Sequence, residues 1–109
     1  APAHLASRTW GRQDALVIVS RHYDIDREAL AAALQQGGFG YLGMIGSRRK
    51  VLQVFDQMKG QGFTSEQLAT VHAPLGLDIG AESPAEIAVS ILAEVLMVLR
   101  GKSGAPLKL

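Results

Sequence analysis

A chain of 109 residues with 48% apolar and 19% charged side chains has the make-up of one ordinary globular domain with a modest core, not of a disordered segment. Its net charge of +1 excludes an overall basic footprint, so nucleic acid or an anionic membrane would have to be met by a local patch. Cysteine is absent, which excludes disulfides, thiolate metal sites and a cysteine nucleophile from this sequence.

The opening APAHLASRTWGRQD carries no secretory pattern, no cap and no strand of its own; without an initiating Met, the chain reads as part of something longer. ALVIV, residues 15–19, is a continuous β-branched run between Asp14 and Ser20, the pattern of a strand buried on both faces in a parallel sheet. A helix follows, with Asp26 placed to cap it and Ile25 and Leu30 at the positions of a hydrophobic staple; Gly37 and Gly38 end it. YLGMI, residues 41–45, predicts a second strand. Gly46 and Ser47 then turn the chain into a helix with an apolar stripe of Val51, Leu52, Val54, Phe55 and Met58, ending near Gly60 or Gly62.

FTSEQL carries a capping box, Thr64 with Gln67, and a staple, Phe63 with Leu68, so a short helix is expected from 65 to about 71. HAPLGLDIG, residues 72–80, reads as a loop. The last helix has the clearest start, with Ser83 as N-cap, Pro84 at N1 and Glu86 at N3. From there to Arg100 polar side chains occur only at Glu86, Ser90 and Glu94, on one i, i+4 stripe. A helix so apolar must be covered on more than one side, by another domain or another subunit. The run from Ile87 to Leu99 is too short to span a bilayer, so a soluble, cytoplasmic protein is expected. The order of elements predicts an α/β fold, a partial Rossmann-like parallel βαβα unit with C-terminal helices. Two strands make an incomplete sheet, so oligomerisation or further sequence would complete it. Nothing divides residues 1–109 into more than one domain.

Residues 38–43, GFGYLG, satisfy the G-x-G-x-x-G pattern, but they end a helix and enter a strand, whereas a dinucleotide fingerprint leaves a strand and opens a helix. They read as a glycine-rich helix stop followed by a close approach at Gly43. GSRRK, residues 46–50, passes that test: it lies at the carboxyl end of a parallel strand and the start of a helix, where open α/β sheets bind ligands. Unpaired N–H groups after Gly46 and Ser47 form an anion site there, and Arg48, Arg49 and Lys50 add charge that a helix N-terminus alone disfavours. A phosphate would offset that cost; pairing with acidic residues elsewhere is the competing reading. His22 and His72 with Asp24 and Asp78 have no metal-motif spacing. Gly76 and Gly80 flank a tight turn in which Asp78 approaches a ligand or satisfies turn amides.

GMIGSRRK, then VHAPLGLDIGAESPAEIAVSILAE, and in part DALVIVSRHYDIDREAL, resemble the C-terminal Rossmann-like domain of the XdhC/CoxI family, the accessory proteins of xanthine dehydrogenase and related molybdenum hydroxylases. The resemblance implies a non-catalytic chaperone that binds molybdenum cofactor (molybdopterin), assists its sulfuration with a NifS-type cysteine desulfurase, and delivers it to the apo-hydroxylase. It places Gly43, Gly46, Ser47, Arg48 and Arg49 in one motif and Gly76, Asp78 and Gly80 in a second. With Lys50, the first group is expected to cradle the cofactor's terminal phosphate, and the second to shape a neighbouring wall or interface. An NAD(P)- or nucleotide-binding oxidoreductase-like domain, holding a dinucleotide, and a ligand-free self-association module are the competing functions.

Overall fold

The computed structural model describes residues 11–19 and 23–109. Its elements run β1 (Ala15–Ile18), α1 (Tyr23–Gln36), β2 (Tyr41–Met44), α2 (Arg48–Gly60), α3 (Ser65–Ala69) and α4 (Pro84–Arg100). The two strands are parallel, with Ala15 paired to Tyr41 and Ile18 to Met44. On the far edge of β2 the loop after α3 adds a rung: His72 N–H donates to Leu42 O at 2.8 Å, and Met44 N–H donates to His72 O at 3.1 Å. This is the partial Rossmann-like arrangement expected from the sequence.

Alternation along β2 sorts the layers, because successive side chains leave a strand on opposite faces. Leu42 and Met44 join the core with Ile18, with Leu30 and Ala33 of α1, and with Val51, Val54 and Met58 of α2. Tyr41 and Gly43 face the other way, toward α4. All four residues of β2 are buried. β1 departs from the expected double burial: only Ile18 is buried, Ala15 and Val19 are exposed, and the strand stops one residue early. Among the described residues β1 is an edge strand, with a paired neighbour on one side alone.

The helix starts follow their signals with one correction. Ser47 caps α2, accepting from Lys50 N–H at 3.1 Å, and both expected capping boxes form, Thr64 with Gln67 and Ser83 with Glu86. α4 spans the expected residues and closes on Gly101 in the left-handed region. α1, however, begins at Tyr23, so Asp26 lies inside its first turn and Ile25 is exposed rather than stapled. Asp26 instead turns inward to a partner on α2. In α2 the buried row is Lys50, Val51, Val54 and Met58, and Leu52 points to solvent. Two residues of the polar stripe of α4, Ser90 and Glu94, point inward, whereas Glu86 is exposed at the helix start; Ser90 is the only buried residue of α4, while Val89, Leu92 and Leu96 are exposed.

Candidate functional site

The strand-to-helix turn after β2 is built around a buried ion pair. Asp26 is 0% exposed and Lys50 8%, and the Lys50 ammonium meets the Asp26 carboxylate. Among the described residues no hydrogen bond reaches either carboxylate oxygen, and the pairing with Lys50 is what compensates Asp26 there. The lysine reaches it by laying its stem along Gly46: a Cβ built there would lie 2.8 Å from Lys50 Cδ, and φ is +149°. Only glycine suits both conditions. Of the three consecutive cations, Lys50 is thus matched to a carboxylate on the neighbouring helix, while Arg48 and Arg49 stay exposed.

Ser47 serves the Lys50 N–H, so the N–H groups of Arg48 and Arg49 are the open ones at this helix start; no hydrogen bond from either occurs among the described residues. Two exposed arginines and two open N–H donors thus lie together at the carboxyl end of β2, donors of the kind that an anion accepts from. The same arginines border a shallow depression of about 780 Å³ along α2, with Leu52, Phe55 and Lys59.

On the opposite face one carboxylate ties the two sequence motifs together. Glu94 Oε1 of α4 accepts from the Tyr41 hydroxyl at 2.6 Å and from Gly76 N–H at 3.1 Å. The His72 ring stacks on Tyr41 with centroids 4.7 Å apart, and its Nδ1 lies 4.0 Å from the same oxygen. Burial first, then the hydrogen bond and charge of Glu94, push the Tyr41 phenol far above its ordinary range. To reach Glu94 the tyrosine crosses Gly43, where a Cβ would stand 2.7 Å from its ring. The close approach expected at Gly43 is therefore real, and a side chain makes it. Gly76, at φ +107°, lies against α4: a Cβ would come within 2.8 Å of Ser90 Oγ, and Leu77 N–H donates to Ser90 O.

The remaining predicted positions are placed less tightly. Asp78 and Gly80 are exposed, and no hydrogen bond joins them to the GSRRK turn among the described residues. Asp24 pairs with Arg27 at 3.3 Å, and His22 lies outside the described residues. No group of three metal-ligating side chains occurs among the described residues. Asp26, Tyr41 and Glu94 are site residues that the motifs alone do not single out. The available signal is the rarity of polar residues on α4, since one kept on so apolar a helix has a buried partner to meet.

Comparison with known proteins places the chain in a family. Residues 1–95 match the model of a family described as the XdhC Rossmann domain. The chain is 43% identical over 95 residues to the uncharacterized protein YqeB of Escherichia coli (strain K12), covering 87% of this chain and 17% of that protein. It is 34% identical over 83 residues to a protein of Bacillus subtilis (strain 168) described as a probable subunit of xanthine dehydrogenase, covering 76% of this chain and 23% of the relative. The fold resembles the crystal structure of a xanthine dehydrogenase from Bacillus halodurans, with a TM-score of 0.69 at 25% identity over 94% of this chain and 28% of that one. The chain spans less than a quarter of the curated relatives it matches.

Proposed function

Because the chain belongs to the XdhC Rossmann-domain family, we propose that it forms part of an accessory factor for molybdenum hydroxylase maturation, with the GSRRK turn receiving the terminal phosphate of molybdenum cofactor. The observation that carries this reading is the pair of exposed arginines whose own N–H groups are open at the carboxyl end of β2. Those donors fit a phosphate, which accepts several hydrogen bonds and carries the charge that the helix start favours. Arg48 and Arg49 would hold the group by its phosphate, Ser47 keeps the helix start ordered, and the Lys50–Asp26 pair fixes the turn from below.

When bound, the cofactor supplies the molybdenum centre that the recipient enzyme uses; this chain's part is to hold and release it in the cytoplasm. Xanthine dehydrogenase or a related hydroxylase would receive it. A NifS-type cysteine desulfurase would supply the sulfur, and the factor would act as a homo-oligomer. The loop through Gly76, Asp78 and Gly80 would form the neighbouring wall, clasped by Glu94.

Calorimetric titration with molybdenum cofactor, NAD and nucleotide monophosphates tests the reading, comparing the wild type with Arg48→Ala/Arg49→Ala. Losing one charge-assisted contact is expected to cost about 1.5–3 kcal/mol, roughly tenfold to a hundredfold or more in Kd. Unchanged cofactor affinity in the double variant would refute the phosphate cradle. Binding of NAD in preference to the cofactor would move the function to the nucleotide-binding class.

A further inference from the structure

His72 holds a fixed place against the carboxylate that Tyr41 and Gly76 share. Its backbone is tied to β2, donating to Leu42 O at 2.8 Å and accepting from Met44 N–H at 3.1 Å. Its ring lies flat on Tyr41, at 9° between the two planes, and Nδ1 stands 4.0 Å from Glu94 Oε1. That oxygen already accepts from the Tyr41 hydroxyl and from Gly76 N–H, so the imidazole stands beside a filled acceptor, outside hydrogen-bond reach. The His72 side chain is 34% exposed and that of Glu94 12%, so the ring meets water while the carboxylate it faces is largely withdrawn from it. From α1 and α3, the hollow of about 330 Å³ that His72 borders is lined by residues without a titratable side chain, among them Leu34, Gln67 and Thr70. Glu94 from α4 and Tyr41 from β2 are thus the titratable groups placed against the ring among the described residues.

We propose that His72 is a proton-operated latch on the loop that it begins. Imidazole is the side chain whose charge ordinarily changes between about pH 5 and 8. On taking a proton from solvent, the ring sets a cation against the Glu94 carboxylate, and its flat contact with Tyr41 gains the attraction of a cation for an aromatic face. The acceptor positions on Oε1 stay with Tyr41 and Gly76, so the new charge holds Glu94 where it stands instead of drawing it off the loop. Tyr41 keeps its proton throughout, because burial and Glu94 push its phenol far up, and it does not act as the switching group. The loop is therefore held more firmly as the pH falls and more loosely as it rises. The latch rests on the Gly76 contact and is independent of the cofactor reading.

Nuclear magnetic resonance on the isotope-labelled full chain, between about pH 5 and 8, tests it with the Gly76 amide as reporter. In the wild type that resonance is expected to move in one transition, in step with the His72 ring. Its protection from exchange, corrected for the pH dependence of free peptides, is expected to be about threefold greater at the acid end, the scale of a partly exposed ion pair. His72→Phe keeps a flat ring for Tyr41 but takes no proton, and Glu94→Gln keeps an oxygen for Tyr41 and Gly76 without the charge. Both are expected to lose the threefold difference while keeping native helicity by circular dichroism. His72→Phe also separates this histidine from His4 and His22. Arg48→Ala/Arg49→Ala is expected to behave as the wild type, so failure of the phosphate cradle and failure of the latch are read separately. Gly76 protection that is level across the range in the wild type, or that falls toward acid, overturns the latch without recourse to any variant. A threefold difference that survives in His72→Phe or in Glu94→Gln overturns it as well.

Discussion

Removing Asp26 takes the paired carboxylate from a buried ammonium ion, and the size of the resulting destabilisation tests how the GSRRK turn is held. In Asp26→Ala, Lys50 would keep its stem on Gly46 and lose the carboxylate its charge is matched to, at a position only 8% exposed. Breaking a buried pair from one side typically costs about 3–5 kcal/mol. Domains of this size are stable by only about 5–15 kcal/mol, so a large share would be lost. With a urea dependence of about 1–3 kcal/mol per molar, the midpoint of unfolding is expected to fall by roughly 2 M. Replacing both partners by apolar residues of similar shape, Asp26→Leu/Lys50→Met, removes the desolvation cost together with the attraction, and is expected to leave stability within about 1 kcal/mol of wild type or above it. Urea unfolding followed by circular dichroism on the singles and the double closes the cycle. A single-site loss below about 1 kcal/mol, or a double variant as unstable as Asp26→Ala, would refute the buried pair as the fixture of the turn.

Tyr41→Phe removes a hydrogen bond to the Glu94 carboxylate and is expected to cost about 1.5–3 kcal/mol in the same assay. In the wild type the raised Tyr41 phenol binds its proton more tightly than in the unfolded chain. That contribution is full below about pH 10 and is lost as pH rises through the folded-state value, so alkaline titration of stability should decline more shallowly in the Phe variant. At the start of α4, Ser83→Ala is expected to lower stability by about 0.5–2 kcal/mol, read as a drop in thermal midpoint. Glu86 is held below its usual carboxylate range by the N–H groups of Glu82 and Ser83, so its contribution is present above the unfolded-state value and fades as pH falls. Glu86→Ala should flatten the acid limb of the stability profile.

Local rules make most of this fold legible in the sequence. The helix starts at Ser47, Thr64 and Ser83 are visible because a cap is a short-range device, written within four consecutive residues. The parallel strands are visible as apolar runs at a helix-length separation. The failures arise where a side chain answers to something distant. Asp26 has the look of a cap because acidic residues at helix starts usually are, and nothing nearby announces a lysine 24 residues later as its partner. Lys50 has the look of a third phosphate ligand for the same reason. Glu94 shows in the sequence only as part of a polar stripe; its orientation depends on Tyr41 and Gly76, which the folded layers bring to it from 53 and 18 residues away. The site glycines are close approaches, and the side chains of Tyr41, Lys50 and Ser90 approach Gly43, Gly46 and Gly76.

The shared oxygen of Glu94 also has a mechanical consequence. The loop over residues 72–82 contains no helix or strand; β2 holds its start through His72 and Leu75, and α4, an element that carries its own caps at both ends, holds it at Gly76 and Leu77. One acceptor serves both the loop, through Gly76, and β2, through Tyr41, so slack at either end is transmitted to the other. The Glu94 oxygen is therefore a second pin between loop and strand, beside the rung at His72. Exchange of the Gly76 amide with solvent would register whether that pin is seated at the base of the strand that leads to Arg48 and Arg49.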